Sequence, residues 1–172
     1  MRRLLLLRHA KAVPATDPLT DSARPLAERG LRDARRIGER LRQHRVRPTL
    51  VLSSPATRAL QTAELVAATL DYAREDIALE RRLYLAEPAT LIAVIAAQKA
   101  ETETLLVVGH NPGLTDLAHR LLPALDVNDL PTCAVVGLAY GNAGGWAEVA
   151  TAAPALAYYD FPKNPGPPVT SR

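Results

Sequence analysis

The sequence has one cysteine, few aromatic residues and no long hydrophobic run. With Cys133 alone, the 172-residue chain can form neither an internal disulfide nor a cysteine-based zinc site, and we expect Cys133 to be a buried structural thiol. The apolar run at the start of the chain ends at Arg8. It is too short for a signal peptide, whose apolar region of about 7–15 residues precedes a cleavage site, or for a membrane span of about 20 residues. We therefore expect a cytoplasmic protein with no membrane partner.

The positive charge is concentrated in segment 29–47, which is rich in arginine and contributes to a net charge of +3. Surfaces that bind single-stranded nucleic acid usually carry aromatic residues among the basic ones. Aromatic residues make up only 4% of the chain and none lies in this segment, while Asp33 and Glu39 interrupt the arginines. These features favour a solvated helix face over a nucleic-acid site. A docking surface for an acidic protein remains an alternative.

Buried strand patterns alternate with helical spacing along most of the chain. This alternation predicts an α/β fold with a mostly parallel sheet and helices on both faces. Segment 13–25 is predicted to be a loop, and segment 77–85 fits neither the helical nor the strand pattern. Residues 1–161 are predicted to form one domain, followed by a flexible, proline-rich tail over 162–172. The predicted strands cover 3–7, 49–53, 104–108, 134–140 and 146–150, and the predicted helices cover 27–44, 56–70, 89–98 and 114–122.

Polar residues cluster where three of the predicted strands end. Arg8 and His9 close the first strand, Arg58 lies shortly after the second, and His110 follows the third. Ligands of open α/β sheets bind beyond the carboxyl ends of the strands. We therefore expect these four side chains to share one site.

The second and third strand ends also carry helix-start signals. Ser54 and Asn111 are each followed by a proline, which predicts an N-cap and a proline in the first helical position. Two helix N-termini at one edge of the sheet would add positive electrostatic potential. Together with two arginines, they predict an anion-binding pocket that suits phosphate.

Three interpretations of the two histidines remain open at this point. A metal site is disfavoured because Arg8 and Arg58 would repel the cation and no metal-binding spacing is present. The pair could instead be ordinary structural histidines at strand ends. The third interpretation is nucleophilic catalysis at phosphorus, with the arginines neutralising the developing charge. The Arg8–His9 pair together with His110 favours this interpretation.

Four segments resemble, in the same order, the conserved motifs of the histidine phosphatase superfamily, which is phosphoglycerate mutase-like. The resemblance implies a three-layer fold with helices on both faces of the sheet. The short chain and the Arg-His-Ala-Lys-Ala form of the first motif resemble SixA-type phosphohistidine phosphatases. The segments are 6–12, 24–30, 53–63 and 108–113.

The resemblance also implies residue roles. His9 would be the nucleophile and would pass through a phosphohistidine intermediate, while Arg8, Arg58 and His110 hold the phosphate. Arg24 would approach the phosphate from the loop. No metal or organic cofactor is expected. Two positions depart from the family pattern: Ala10 replaces the commoner glycine, and Ala27 replaces a Ser or Thr N-cap, at a cost of about 0.5–2 kcal/mol in stability.

No carboxylate aligns convincingly with the general acid of larger family members. Asp17, Asp21, Glu80 and Glu87 are candidates, and each is expected to be a plain surface carboxylate. A site without a general acid suits phosphohistidine better than an alkyl phosphate, whose alkoxide must be protonated as it leaves. The expected substrate is therefore a phosphorylated protein, such as a phosphorelay component. The alternatives are an enzyme that acts on a small phosphate ester and a module that binds phosphoproteins without catalysis. The oligomeric state is left open.

Overall fold

In the computed structural model, which describes residues 1–16, 18–141 and 144–170, strands and helices alternate as the sequence predicts. The long helices begin and end within two residues of their predicted bounds. Within these ranges, four short 3-10 segments connect the regular elements. The elements in chain order are β1 (Arg2–Arg8), α1 (Glu28–Gln43), β2 (Leu50–Ser53), α2 (Thr57–Thr69), β3 (Ala78–Leu79), α3 (Pro88–Ala96), β4 (Thr104–Gly109), α4 (Gly113–Leu121), β5 (Val135–Tyr140) and β6 (Ala155–Asp160).

The six strands form one mostly parallel sheet in the order β3-β2-β4-β1-β5-β6. β4 is parallel to both of its neighbours, β1 and β2, and β2 is parallel to β3. β5 runs antiparallel to β1 and β6. The three strands that carry the predicted site residues are therefore adjacent, and their carboxyl ends lie at the same edge.

Alternating side chains of β1 divide the core into two layers. Leu4 and Leu6 pack with the apolar faces of α3 and α4. Leu5 and Leu7 pack with α1 and α2 on the opposite face of the sheet. Successive strand residues point to opposite faces, so a strand made almost wholly of leucine is buried on both sides. This arrangement confirms the predicted three-layer α/β fold.

The prediction of a strand at 146–150 is wrong. This segment begins with a 3-10 turn, Trp146–Glu148, and the last strand is β6. Trp146 and Val149 are both buried, and the Trp146 indole N–H donates to the Thr102 carbonyl at 2.8 Å. Two buried residues three positions apart fit a helical turn, not the two-residue period of a strand.

Both predicted helix caps are also placed differently. The N-cap of α2 is Ala56, not Ser54, and the N-cap of α4 is Pro112, not Asn111. Ser54 still pairs with the sheet, because its N–H donates to the Val108 carbonyl at 3.0 Å. The chain turns into α2 only afterwards. α1 begins after Ala27 without a side-chain cap, as the departure from the family pattern predicts.

The proline-rich segment after β6 lies against that strand. The N–H groups of Tyr159 and Val169 each donate to the other residue's carbonyl, at 2.8 and 2.9 Å. Arg40 forms an ion pair with the fully buried Asp160 at 3.0 Å and donates to the Asn164 carbonyl at 3.3 Å. The domain boundary at residue 161 and the flexibility of the tail stay predictions. No helix in the described ranges is long and apolar enough to span a membrane.

Candidate active site

The ends of β1, β2 and β4 bring the four predicted site residues together. Arg8 pairs in register with Gly109, and Ser53 pairs with Val108. Consequently the residues that follow these strands open into one cavity of about 390 Å³. Its lining includes Arg8, His9, Arg24, Arg58 and His110.

Two motif glycines allow the chain to pack closely around this cavity. A Cβ atom at Gly30 would lie 2.1 Å from the Lys11 carbonyl oxygen, so glycine lets α1 pack on the loop that follows His9. A Cβ atom at Gly113 would lie 1.9 Å from the Ala86 carbonyl oxygen. Any larger residue would therefore displace one wall of the site.

The His9 ring is held in the tautomer that a nucleophile requires. Its Nδ1 lies 2.8 Å from the Ala10 carbonyl oxygen. A carbonyl only accepts hydrogen bonds, so Nδ1 carries the proton and Nε2 keeps its lone pair. Burial, together with Arg58 and Arg8, lowers the pKa of His9 to about 4. His9 is therefore neutral near pH 7, with Nε2 available to attack phosphorus.

Thr62 connects His9 to α2. The Ala10 N–H donates to Thr62 Oγ1 at 3.0 Å, and the Thr62 hydroxyl donates to the Arg58 carbonyl at 2.7 Å. Ala10 is itself fully buried. The backbone beside His9 is thus fixed to the helix that carries Arg58.

Arg58 lies deepest in the site, with 2% of its surface exposed. Its Nε donates to His9 Nε2 at 3.3 Å. Its two terminal nitrogens donate to the Asp21 carbonyl at 2.8 Å and to Asp21 Oδ2 at 3.2 Å. One guanidinium therefore bridges the nucleophile and a carboxylate.

His110 presents a buried N–H group that has no partner among the described residues. Its Nε2 lies 2.7 Å from Ser54 Oγ. Ser54 Oγ accepts from the Ala56 N–H at 3.3 Å, and among the described residues Nε2 is the acceptor available to its own hydrogen. The hydroxyl therefore donates to Nε2, and Nδ1 carries the ring hydrogen. Nδ1 is buried without a hydrogen-bond partner. Burial, followed by the nearby His9 and Arg58, lowers the pKa of His110 to about 3.

Arg8 presents a second such donor. One terminal nitrogen donates to the Leu130 carbonyl at 2.7 Å, whereas the buried Nε has no partner within the described part of the chain. The side-chain amide of Asn111 donates to the same carbonyl and to Asp129 Oδ1, each at 2.9 Å. Buried polar groups are normally satisfied, so the unpaired donors of Arg8 and His110 indicate a place for an anionic ligand.

Arg24 and Asp21 form the loop side of the cavity. Arg24 donates to Asp21 Oδ1 at 2.9 and 3.1 Å, and to the Val13 carbonyl at 2.9 Å. The Tyr84 hydroxyl donates to Asp21 Oδ2. The hydrogen bond from Tyr84 and those from Arg24 and Arg58 lower the pKa of Asp21 to about 2. Asp21 is therefore a carboxylate at neutral pH.

The expectation that Asp21 is a plain surface carboxylate is thus wrong, because it lines the cavity. Glu80 binds Arg82, with its Oε1 and Oε2 3.0 and 2.9 Å from the guanidinium, and does not line the cavity. Glu87 is the N-cap of α3 and makes no side-chain capping bond. Asp17 lies outside the described residues. Within the described ranges, no three His, Cys, Asp or Glu side chains are grouped as metal ligands would be.

Sequence reasoning missed three supporting residues. Ser54 orients His110, Thr62 anchors the His9 loop, and Tyr84 holds Asp21 and lies edge-on to the His110 ring, with centroids 5.4 Å apart. The position of Thr62, four residues after Arg58 and so one turn away on the same helix face, was an available signal. Cys133 is buried as predicted, and burial raises the pKa of its thiol.

The two depressed histidine pKa values predict that stability falls on acidification. Below pH 6.5 both histidines gain a proton in the unfolded chain, whereas in the folded chain they stay neutral down to about pH 4 and 3. Unfolding therefore takes up protons, and the free energy of unfolding should fall by up to about 1.4 kcal/mol per pH unit for each histidine between pH 6 and 4. Urea denaturation across this range measures the slope. It should be shallower in His9→Gln and His110→Gln than in the wild type or in His44→Gln, and equal slopes would show that neither pKa is lowered.

Comparison with known proteins places the chain among histidine phosphatases. Residues 4–84 match the sequence pattern of the histidine phosphatase superfamily (branch 1). An uncharacterised protein of Mycobacterium tuberculosis is 36% identical over 169 residues, which cover 91% of this chain and 100% of the relative. Among solved structures, a SixA protein of Nakamurella multipartitia superposes with a TM-score of 0.79, at 28% identity, over 95% of this chain and 97% of that one. A SixA protein histidine phosphatase solved with tungstate superposes with a TM-score of 0.76, at 25% identity, over 93% and 97% of the two chains.

Proposed function

The chain belongs to the histidine phosphatase superfamily and is a phosphatase, and we propose that it removes phosphate from phosphohistidine on a protein through a phosphorylated His9. The observation that carries this proposal is the arrangement around His9. His9, whose Nε2 is unprotonated, lines the same cavity as Arg8 and His110, and each of these two side chains has a buried N–H donor without a partner among the described residues. Phosphate oxygens are the acceptors that such donors fit.

The reaction has two displacements at phosphorus. In the first, the lone pair of His9 Nε2 forms a bond to phosphorus, and the bond from phosphorus to the substrate's imidazole nitrogen breaks. In the second, a water oxygen bonds to phosphorus, the bond to Nε2 breaks, and a proton of the water is released to solvent. Arg8 and Arg58 neutralise the negative charge on the phosphoryl oxygens in both steps, and the neutral His110 donates a hydrogen bond to them. These groups need no metal ion to do so.

The absence of a protonated acid in the described lining supports phosphohistidine as the substrate. The pKa of about 2 leaves Asp21 without a proton to donate near pH 7. A phosphorylated imidazole can be protonated by solvent before it leaves, whereas an alkoxide needs a proton in the transition state. The SixA protein that was solved with tungstate is a protein histidine phosphatase, which agrees with phosphohistidine as the substrate.

A small phosphate ester is the second candidate, and Asp21 is the feature that favours it. This carboxylate lines the cavity, and Arg58 bridges it to His9. A carboxylate in that place could serve an ester if phosphate binding raised its pKa. A binding module without catalysis is disfavoured because His9, both arginines and His110 are all present and brought together.

Phosphate release from two substrates tests the proposal. One is a small protein phosphorylated on histidine with phosphoramidate, and the other is an aryl phosphate, each supplied with a chelator. We expect release that depends on His9 and is faster from phosphohistidine, with His44→Ala as a control because His44 is an exposed histidine outside the cavity. Release from the ester alone would identify a phosphomonoesterase. No release from either would identify a binding module.

A further inference from the structure

Asp21 places a carboxylate group inside the proposed phosphate site. Among the described residues that line the cavity it is the one carboxylate, and Lys11 and three arginines line the cavity with it. Its Oδ1 accepts from Arg24, and its Oδ2 accepts from Arg58 and from the Tyr84 hydroxyl. The side chain is 29% exposed, so it can move towards solvent.

These contacts occupy every nitrogen of the Arg58 guanidinium. Nε donates to His9, and the two terminal nitrogens donate to the carbonyl and the carboxylate of Asp21. An arginine binds phosphate through two parallel N–H donors of its fork. These contacts use one N–H group on each nitrogen, three of the five that a guanidinium carries. A phosphate that binds through the two terminal nitrogens therefore competes with Asp21 for them.

We propose that Asp21 is a resident anion that the phosphoryl group must displace from Arg58, and that Asp21 thereby weakens the retention of inorganic phosphate and promotes its release. This inference rests on the proposed function, because it takes Arg58 to be a phosphate ligand. Asp21 acts through Arg58 and is a positioning residue, not a catalytic one. Release of the product is the step that it serves, because the ion pair between Arg58 and Asp21 forms again when phosphate leaves.

The other partners of Asp21 make the exchange feasible. When Arg58 turns to a phosphate oxygen, Arg24 still holds Oδ1 and Tyr84 still holds Oδ2. The carboxylate is thus never left without a donor. Asp21 also lies on a short 3-10 turn, Pro18–Ala23, outside the rigid sheet. A phosphate group carries roughly −1.5 to −2 charges near neutral pH, and the negative charge of Asp21 beside it would push the two anions apart.

The exchange also affects the nucleophile. In this structure the Nε2 lone pair of His9 accepts from Arg58 Nε at 3.3 Å. When Arg58 turns to the incoming phosphoryl group, it releases that lone pair. Binding of phosphate would therefore free the nucleophile at the moment when phosphorus comes within reach.

Calorimetric titration with inorganic phosphate tests the inference on the intact protein. We expect Asp21→Asn to bind phosphate about tenfold more tightly than the wild type, which corresponds to about 1.4 kcal/mol. In steady-state assays with an aryl phosphate, the inhibition constant for phosphate should fall by the same factor. Asp21→Glu keeps the charge and should bind phosphate as weakly as the wild type. Glu80→Gln is the matched control, because it removes a carboxylate that is bound to an arginine outside the cavity.

The outcomes separate this inference from the proposed function. If Asp21→Asn and the wild type bind phosphate equally, or Asp21→Asn binds it more weakly, the resident-anion role is refuted while the phosphate site stands. If neither protein binds phosphate, the proposed function itself fails. Tyr84→Phe provides a graded test, since loss of the hydroxyl that holds Asp21 should tighten phosphate binding by less than Asp21→Asn does.

Discussion

Replacing His9 by alanine should lower phosphate release by roughly a thousandfold or more, because the nucleophile that forms the covalent intermediate is lost. Inorganic phosphate should still bind, because Arg8, Arg58 and His110 remain. Steady-state turnover and calorimetric binding of phosphate, measured on the same preparation, separate the two effects.

His44→Ala is the matched control for this change. It removes an exposed histidine whose ring contacts Tyr158, with centroids 5.3 Å apart and away from the cavity. Its turnover should stay within a few-fold of the wild type. If His9→Ala kept most of its activity, or lost phosphate binding together with turnover, His9 would be a binding residue and the covalent mechanism would be wrong.

Replacing Arg58 by methionine should also cost roughly a thousandfold in kcat/KM, since one buried guanidinium stabilises the phosphoryl charge and contacts the nucleophile. Arg58→Lys keeps the charge but not the planar fork, so it should recover only part of the loss. Both effects should appear with phosphohistidine and with an aryl phosphate.

Arg24→Met provides the comparison within the same site. Arg24 contacts Asp21 and the Val13 carbonyl and does not contact His9 or another catalytic side chain. Its loss should therefore reduce kcat/KM by only about tenfold, in the range of a partly exposed ion pair. Equal losses for Arg58→Met and Arg24→Met would contradict the central place of Arg58, because they would mean that both arginines act only through general positive charge.

The residues that line the candidate site could be predicted from the sequence because they depend on a simple property of parallel sheets. Arg8 ends β1, His9 follows it and His110 follows β4, and these two buried strands prove to be adjacent. Arg58 lies a few residues after β2, which pairs with β4 on its other side. Such positions depend on where each strand ends, which the hydrophobic pattern reveals, and the order of the strands in the sheet then brings these ends together.

The orientation of those residues could not be predicted in the same way. Ser54 was predicted to cap a helix, yet it orients the His110 ring, because the chain continues in the sheet through Ser54 before α2 begins. Asp21 and Tyr84 are 63 residues apart in sequence, and both belong to segments without regular periodicity. Contacts between two irregular segments follow from the packing of the whole fold, so their sequences alone do not indicate them.

The strand order near the end of the chain shows the same limit. The predicted strand at 146–150 contained buried residues, but their spacing of three fits a turn around Trp146. The true partner of β5 is β6, which carries two tyrosines and ends at the buried Asp160. The ion pair of Asp160 with Arg40 then depends on a helix that lies 120 residues away in sequence.

Trapping the covalent intermediate tests the proposed mechanism most directly. The protein is mixed with a phosphohistidine-bearing protein, quenched in alkali within the first turnover, and digested, and the phosphorylated peptide is located by mass spectrometry and its ring isomer by NMR. We predict phosphate on His9 at Nε2, because Nδ1 carries the proton that is donated to the Ala10 carbonyl. Phosphate on another residue or on Nδ1, or continued turnover with no phosphorylated protein at any quench time, would contradict nucleophilic catalysis by His9.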